Sequence, residues 1–376
     1  MKKTRAIFLV IALVAVTGLV SVAHARAKQQ AASASQQQNF FIHDEASFLA
    51  NSKVFHAIPF NDPKFEFDVR LPKDWTVDML AKDREEIVDQ RLLSDVARFK
   101  SPRYGTAQIT LKIQFVQLQH DISPENWLKK YAVSNGYMQE EPIASAGKKR
   151  ASMGYISVFE NINTYASVLT QINGGVLMLV SAEIPLYLRE TLGFVQKSIV
   201  DSFRMIISEE KLAESLQTFS LADALKFSYP TSWQINHSDF RNTNSVAVQL
   251  HNEPVPDQLN GIVRMTAIHR ATDTNLVEEM GKLRDEYFGE TLKLSIDKMV
   301  SSQDNKSSDR FLFSRREVYL VTAKAASSRT QELHLVVLGD RRWYVIAFLL
   351  TPAETDSLSI WAQNIESFDT MVRTIR

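Results

Sequence analysis

The 376-residue chain contains no cysteine. No disulfide can staple it, no thiol can act as a nucleophile, and no lipidated cysteine can anchor it after an apolar leader. Its folded state therefore rests on ordinary hydrophobic cores, for which 21 Phe and 5 Trp supply ample apolar surface. An excess of charge of one sign is missing as well, with 43 Lys and Arg set against 43 Asp and Glu. This balance argues against a nucleic-acid binder, which needs a basic surplus for the phosphate backbone. A long apolar run is also missing beyond the N-terminus. The richest later stretch, Val176–Ile184, is long enough for a strand and too short for a membrane span.

The N-terminus itself is patterned. Lys2, Lys3 and Arg5 precede an apolar run from Ala6 to Ala23, which ends in Ala23-His24-Ala25. Cations, a hydrophobic stretch and a small-x-small site together form a secretory signal, with cleavage expected after Ala25 and export to the bacterial periplasm. The alternative is an uncleaved anchor, the only membrane contact expected. Removing residues 1–25 leaves 40 basic residues against 43 acidic ones, a net charge of −3. Lys28–Asn39 is rich in Gln, Ala and Ser and buries too little to order itself, so residues 26–59 are expected to be a flexible segment. Within it, Phe40–Phe60 could supply a short helix lying on the first domain.

About 350 remaining residues suggest two domains or more, and an internal similarity points the same way. Val69–Trp75 and Phe227–Trp233 are both alternating strands ending in Pro-x-x-Trp, at Pro72/Trp75 and Pro230/Trp233. Further on, Ser202-Phe203 matches Ser367-Phe368, each closing a helical pattern. Trp75 lies 128 residues before Phe203 and Trp233 lies 135 before Phe368. Two markers in one order at nearly one spacing indicate a tandem duplication.

Each half then reads alike. The first has strands over Phe65–Leu71, Val96–Lys100 and Ala107–Leu118, and a helix capped by Ser123 that runs to Ser134. Strands near 141–147, 153–162 and 164–173 follow, then Val176–Ile184 and a closing helix over Leu186–Ile206. The second has strands at Leu225–Tyr229, Ser245–Leu250 and Ile262–His269, and a helical pattern at Asn275–Phe288. Strands near 293–300, 311–323, 329–338 and Trp343–Leu350 precede a helix over Ala353–Val372. Glu209–Leu216 reads as a connecting helix. The fold class is α+β: two antiparallel-sheet sandwiches, each with a mid-unit helix and a C-terminal helix, over residues 60–207 and 220–376 with a linker at 208–219.

This arrangement resembles the PsbP-like domain superfamily of the PsbP/DcrB type, in two tandem copies. The resemblance is carried by Pro72, Trp75, Ser202, Phe203, Pro230, Trp233, Ser367 and Phe368. It implies a mostly non-catalytic module that docks on larger complexes and stabilises or regulates them. It implies no shared binding residue.

Chemistry-bearing motifs are scarce. His43, His56, His120, His237, His251, His269 and His334 form neither H-x-x-x-H nor H-E-x-x-H. His43-Asp44-Glu45 points its side chains in different directions and reads as surface. No G-x-S-x-G elbow and no phosphate loop occur; Gly174-Gly175 is a hairpin turn. Trp75 and Trp233 read as core, and Trp127/Tyr131 as one packed face of a helix. Lys148-Lys149-Arg150, Arg315-Arg316 and Arg341-Arg342 read as solvated strand ends or turns, or as contacts for an anionic partner. Lys82–Arg91 reads as an exposed helix or loop.

The expectation is therefore a non-enzymatic periplasmic accessory protein, without cofactor, metal or catalytic residue. It would bind an envelope protein complex, with secretion, conjugation or surface assembly as candidate settings. The alternatives are a small-ligand carrier or sensor with a pocket between the domains, and an undetected hydrolase.

Overall fold

The computed structural model describes residues 42–82, 93–104, 107–159, 162–206, 212–221, 225–242, 244–252, 260–269, 294–306, 311, 313–323, 330–339 and 342–376, with Glu278, Gly281, Lys282 and Asp285 besides. The signal segment, Lys28–Asn39, nearly all of Lys82–Arg91 and of the Asn275–Phe288 pattern, and the turn at Asp340 lie outside them. The fold is α+β, with two sheet-rich units. The first comprises the chain up to Val116, Ala132–Ile172 and Val176–Ser208; the second comprises Gln117–Tyr131, Asn173–Gly175 and Glu209–Arg376.

In the first unit, helix α1 (Glu45–Asn51) leads into β1 (Ser52–Ala57), which runs antiparallel to β2 (Phe67–Pro72). The segment expected to be flexible is thus folded from Ile42 onward, with Ile42 and Phe48 buried in the core. β2 alternates as its sequence requires: Phe67, Val69 and Leu71 point inward and are almost wholly buried. The larger sheet contains β3 (Thr76–Leu80), β4 (Ser94–Tyr104), β5 (Ala107–Gln117), β6 (Met138–Gln139), β8 (Arg150–Phe159), β9 (Ile162–Asn173) and β10 (Val176–Pro185). Their order is β3-β4-β5-β10-β9-β8-β6, and β7 (Ala144–Ser145) also pairs with β8. A 3-10 turn at Leu186–Leu188 enters α3 (Arg189–Ser202), whose Leu192, Val195, Ile199 and Val200 pack on the sheet. The helix stops four residues before the expected Ile206, because Arg204-Met205 forms β11 on β2. The mid-unit helix α2 (Pro124–Ser134) starts at Pro124 as read, with Ser123 Oγ accepting from Asn126 N at 3.1 Å. Its first residues, in Gln117–Tyr131, group with the second unit, where Lys129 pairs with Glu354 and Lys130 Nζ meets Ser359 Oγ at 3.0 Å.

In the second unit, β12 (Leu216–Leu221) pairs with β13 (Leu225–Pro230). The expected helix at Glu209–Leu216 is corrected in its described part, since residues 212–215 bend and Leu216 already pairs with Pro230. The large sheet holds β14 (Gln234–Asn242), β15 (Ser245–Asn252), β16 (Gly261–His269), β17 (Leu294–Lys306), β18 (Phe313–Ala323), β19 (Thr330–Gly339) and β20 (Trp343–Pro352). Its order, β14-β15-β16-β20-β19-β18-β17, repeats that of the first unit strand for strand. Helix α4 (Leu358–Thr374) begins five residues after the expected Ala353, because Ala353–Ser357 is a turn closed by Ser357 N on Ala353 O. Among the described residues no helix is long and apolar enough to cross a membrane.

Candidate functional site

The two Pro-x-x-Trp turns occupy matching places, but the Ser-Phe pairs do not: Ser202-Phe203 closes α3, whereas Ser367-Phe368 lies inside α4, which runs on to Thr374. Trp75 N donates to Pro72 O at 3.1 Å and Trp233 N to Pro230 O at 3.0 Å, so each Pro-x-x-Trp is one tight turn. Both indoles are buried, and Gly261 exists to admit the second: a Cβ there would lie 2.9 Å from Trp233 Cη2. Phe203 and Phe368 are fully buried beneath their helices, with Phe203 5.5 Å from Phe67. The two serines differ. Ser202 Oγ accepts Arg70 N at 2.9 Å, tying α3 to β2. In the second unit the corresponding bond, from Ser228 N, is accepted by Thr374 Oγ1 at 2.9 Å, and Ser367 does not make it. Among the described residues, the contacts shown for them lie within their own units.

A concave surface bordered by apolar side chains lies in the first unit. Gly136, at φ 65°, stops α2: Tyr137 N returns to Ala132 O at 3.0 Å and the chain turns into β6. The turn Asn135–Met138, the end of β8 at Ile156–Val158, Asn163 and Leu186 enclose a groove of about 430 Å³. Its floor is stiffened by Tyr137 stacked on Tyr155, ring centroids 4.2 Å apart. Around it, Met138 is 59% exposed, Val158 68%, Ile162 51% and Tyr187 70%. These large apolar residues are left in water on one surface, the kind of patch found at protein contacts.

Beside Ile156 lies a polar cluster. Tyr165 Oη donates to Glu141 Oε1 at 2.7 Å, and the Arg189 guanidinium lies 4.1 Å above the Tyr165 ring. Arg189 also donates to Glu140 (2.9 Å) and Glu141 (3.3 Å). Gly154 leaves room for the phenol, since a Cβ there would fall 2.5 Å from Tyr165 Oη. Burial, then Glu141, pushes the phenol well above its ordinary range, so it stays a donor. Glu141 Oε1 is shared by Tyr165 and Arg189, and its Oε2 lies 3.9 Å from Lys197 Nζ.

A second cluster sits between β19 and α4. Glu332 Oε2 accepts Trp361 Nε1 at 2.6 Å and lies 3.1 Å from His334 Nε2, while Glu332 Oε1 accepts Glu354 N at 3.3 Å. This geometry assigns the proton to Nε2, and His334 Nδ1 is buried without a partner. Burial lowers the His334 pKa from its ordinary value, with Glu332 opposing. Burial also pulls Glu332 upward, but the bonds from His334, Trp361 and Glu354 N together outweigh it and hold the carboxyl below its usual value. The search for helical His spacings missed this pair. Its signal was the strand spacing, an acid and a His two residues apart.

The charge runs are put to structural use. Arg150 donates to Asp201 O (2.7 Å) and Phe203 O (2.6 Å) at the end of α3, and burial, then Arg204, lowers its pKa to about 10. Arg315 and Arg316 lie within β18 rather than in a turn, and pair with Glu317 and with Asp369. In the His43–Glu45 segment, Asp44 caps α1 by accepting Ser47 N at 2.7 Å. Trp127 and Tyr131 stack at 5.3 Å on α2. Among the described residues no three His, Asp or Glu side chains gather as metal ligands.

No protein-family profile and no curated protein sequence matches the chain. Solved structures similar to it include cyanobacterial PsbP (CyanoP) from Synechocystis sp. PCC 6803, at 16% identity over 43% of this chain and 92% of that one, TM-score 0.31. The Saccharomyces cerevisiae Ran-binding protein Mog1p matches at 8% identity over 43% and 95%, TM-score 0.30. LpqN, involved in cell envelope biogenesis of Mycobacterium tuberculosis, matches at 14% identity over 43% and 96%, TM-score 0.29.

Proposed function

We propose that this protein is an exported accessory subunit of the bacterial envelope, built from two tandem PsbP-like units, which works by binding another protein and stabilising or regulating the complex it joins. The observation that carries this reading is a division of labour among side chains. The polar groups with altered ionisation, Tyr165 and Glu332–His334, are bonded inside their own units. The large apolar groups left to solvent around the groove are Met138, Val158, Ile162 and Tyr187, beside the exposed amides Asn135 and Asn163, a mixture that suits a protein contact. The identical strand order of the two sheets and the paired Pro-x-x-Trp turns support the duplication. The Lys2–Ala25 pattern supports export to the periplasm.

The test is cross-linking in the envelope of the native cells, followed by affinity recovery of the wild type and of Tyr187→Asp. Stoichiometric recovery of envelope-complex subunits with the wild type, lost with Tyr187→Asp, is expected. Recovery of the wild-type protein alone would overturn the reading.

A further inference from the structure

The two large sheets share one strand order, yet they finish one edge differently. In the second unit, β17 runs along the outer side of β18 from Lys306↔Phe313 to Leu294↔Ala323, so the last three residues of β18 are all paired. In the first unit the matching strand is β8, paired on its inner side with β9 along its whole length. On its outer side, Ala144-Ser145 covers Ala151-Ser152 and Met138-Gln139 covers Tyr155-Ile156. Its last three residues, Ser157–Phe159, have no outer partner among the described residues. The chain leaves the sheet there because the turn at Gly136 brings it up from α2, where the second unit has three further residues of strand.

That open backbone borders the apolar groove. Ile156 and Val158 belong to the edge strand and also line the groove, on the sheet face that carries α3. A strand laid along the edge would satisfy its free N–H and C=O groups and send every second side chain between Met138, Val158 and Leu186. Unpaired edges are ordinarily blunted by charge, proline or a covering loop. This one instead presents Val158 at 68% exposure.

We propose that Ser157–Phe159 and the adjoining groove receive an extended segment of a partner protein, apolar at alternate positions, which completes the sheet by strand addition. This deepens the accessory-subunit reading and rests on it for the existence of a partner. The second unit shows the same edge filled by an extended antiparallel strand, which is the observation that selects this occupant over a helix.

The probe is a short synthetic peptide alternating valine and threonine, with a terminal lysine for solubility, added to the full chain. Its control replaces the central residue with proline, which removes a backbone donor and leaves most side chains in place. Saturable binding is expected, with amide exchange slowed about tenfold or more within Ser157–Phe159 and unchanged elsewhere in β8. The proline control, Val158→Asp and Met138→Asp should each abolish it, while the melting temperatures of both variants stay at the wild-type value. Absence of slowed exchange at Ser157–Phe159 would overturn the proposal, as would equal binding of the proline control. Concentration-dependent dimers that Val158→Asp dissolves would assign the edge to a second copy of this chain and overturn it too. Peptide binding without recovery of an envelope complex would sink the accessory role and leave the edge standing; recovery without peptide binding would do the reverse.

Discussion

Replacing Glu332 by alanine should cost the second unit about 3 kcal/mol, within a span of about 2–5. The carboxylate is the sole acceptor shown for Trp361 Nε1 (2.6 Å) and for His334 Nε2 (3.1 Å), and it also accepts Glu354 N. His334 is 5% exposed, so water does not replace the lost partner easily. Each buried donor left without an acceptor costs about 1–3 kcal/mol. Against this stands the relief of no longer desolvating a carboxylate, which trims the sum. For a unit of this size, about 3 kcal/mol corresponds to a melting shift of roughly 6–12 °C. Urea unfolding followed by tryptophan emission reads the change directly, since Trp361 loses its own partner. Trp361→Phe removes one donor, leaves Glu332 two partners and should cost about 1–2 kcal/mol. The double variant should then fall short of the summed singles by about 1 kcal/mol, because both remove one shared bond. A loss below about 1 kcal/mol for Glu332→Ala, or strict additivity, would refute the reasoning.

Three further outcomes are expected. Gly261→Ala would place a Cβ 2.8 Å from Asn364 Nδ2 and 2.9 Å from Trp233 Cη2; both neighbours are buried, and thermal melting should show a loss of about 1–3 kcal/mol. Thr374→Val deletes the acceptor for Ser228 N and should cost about 1 kcal/mol in urea titration, as Ser202→Ala should through Arg70 N, whereas Ser367→Ala should not break this tie. His334 has its pKa lowered by burial, so the unfolded chain takes up a proton that the folded chain refuses. Its contribution is therefore intact at pH 8 and lost as pH falls below about 6.5, at up to about 1.4 kcal/mol per pH unit. His334→Gln should flatten stability between about pH 7 and 5; an unchanged slope would count against the buried neutral imidazole.

Much of the scaffold was legible because its signals are local. Phe67-Val69-Leu71 alternates, Ser123-Pro124 starts a helix, and Pro72 and Pro230 end strands three residues before a buried indole. The strands that escaped notice, β1, β3, β6, β11, β12 and β14, lie at sheet margins. β3 exposes Thr76–Asp78 on both faces, and β14 slips register between Ile235 and His237 and again between Phe240 and Asn242, so neither shows a clean two-residue period. The chain from Ile42 reads as part of a flexible segment with room for a short helix; α1 supplies that helix, and its Phe48, with Ala57 paired to Phe67 of β2, joins the core. The groove was invisible for a different reason. Met138, Leu186 and the pair Ile156 and Val158 come from three separate elements, and nothing in their spacing tells a buried valine from an exposed one. The hydroxyl that ties α4 to β13 is not the one the matched motif marks: Ser367 matches Ser202 in sequence, but Thr374 reaches the strand.

The bonds from Ser202 to Arg70 and from Thr374 to Ser228 join residues 132 and 146 positions apart, so in each unit the first core strand is latched by the last helix. Neither core is finished until nearly its whole stretch of chain is present. A polypeptide emerging from its N-terminus leaves Phe67 without the cover of Phe203 until that residue follows. Closure then comes late and at once, on the side where the helix arrives.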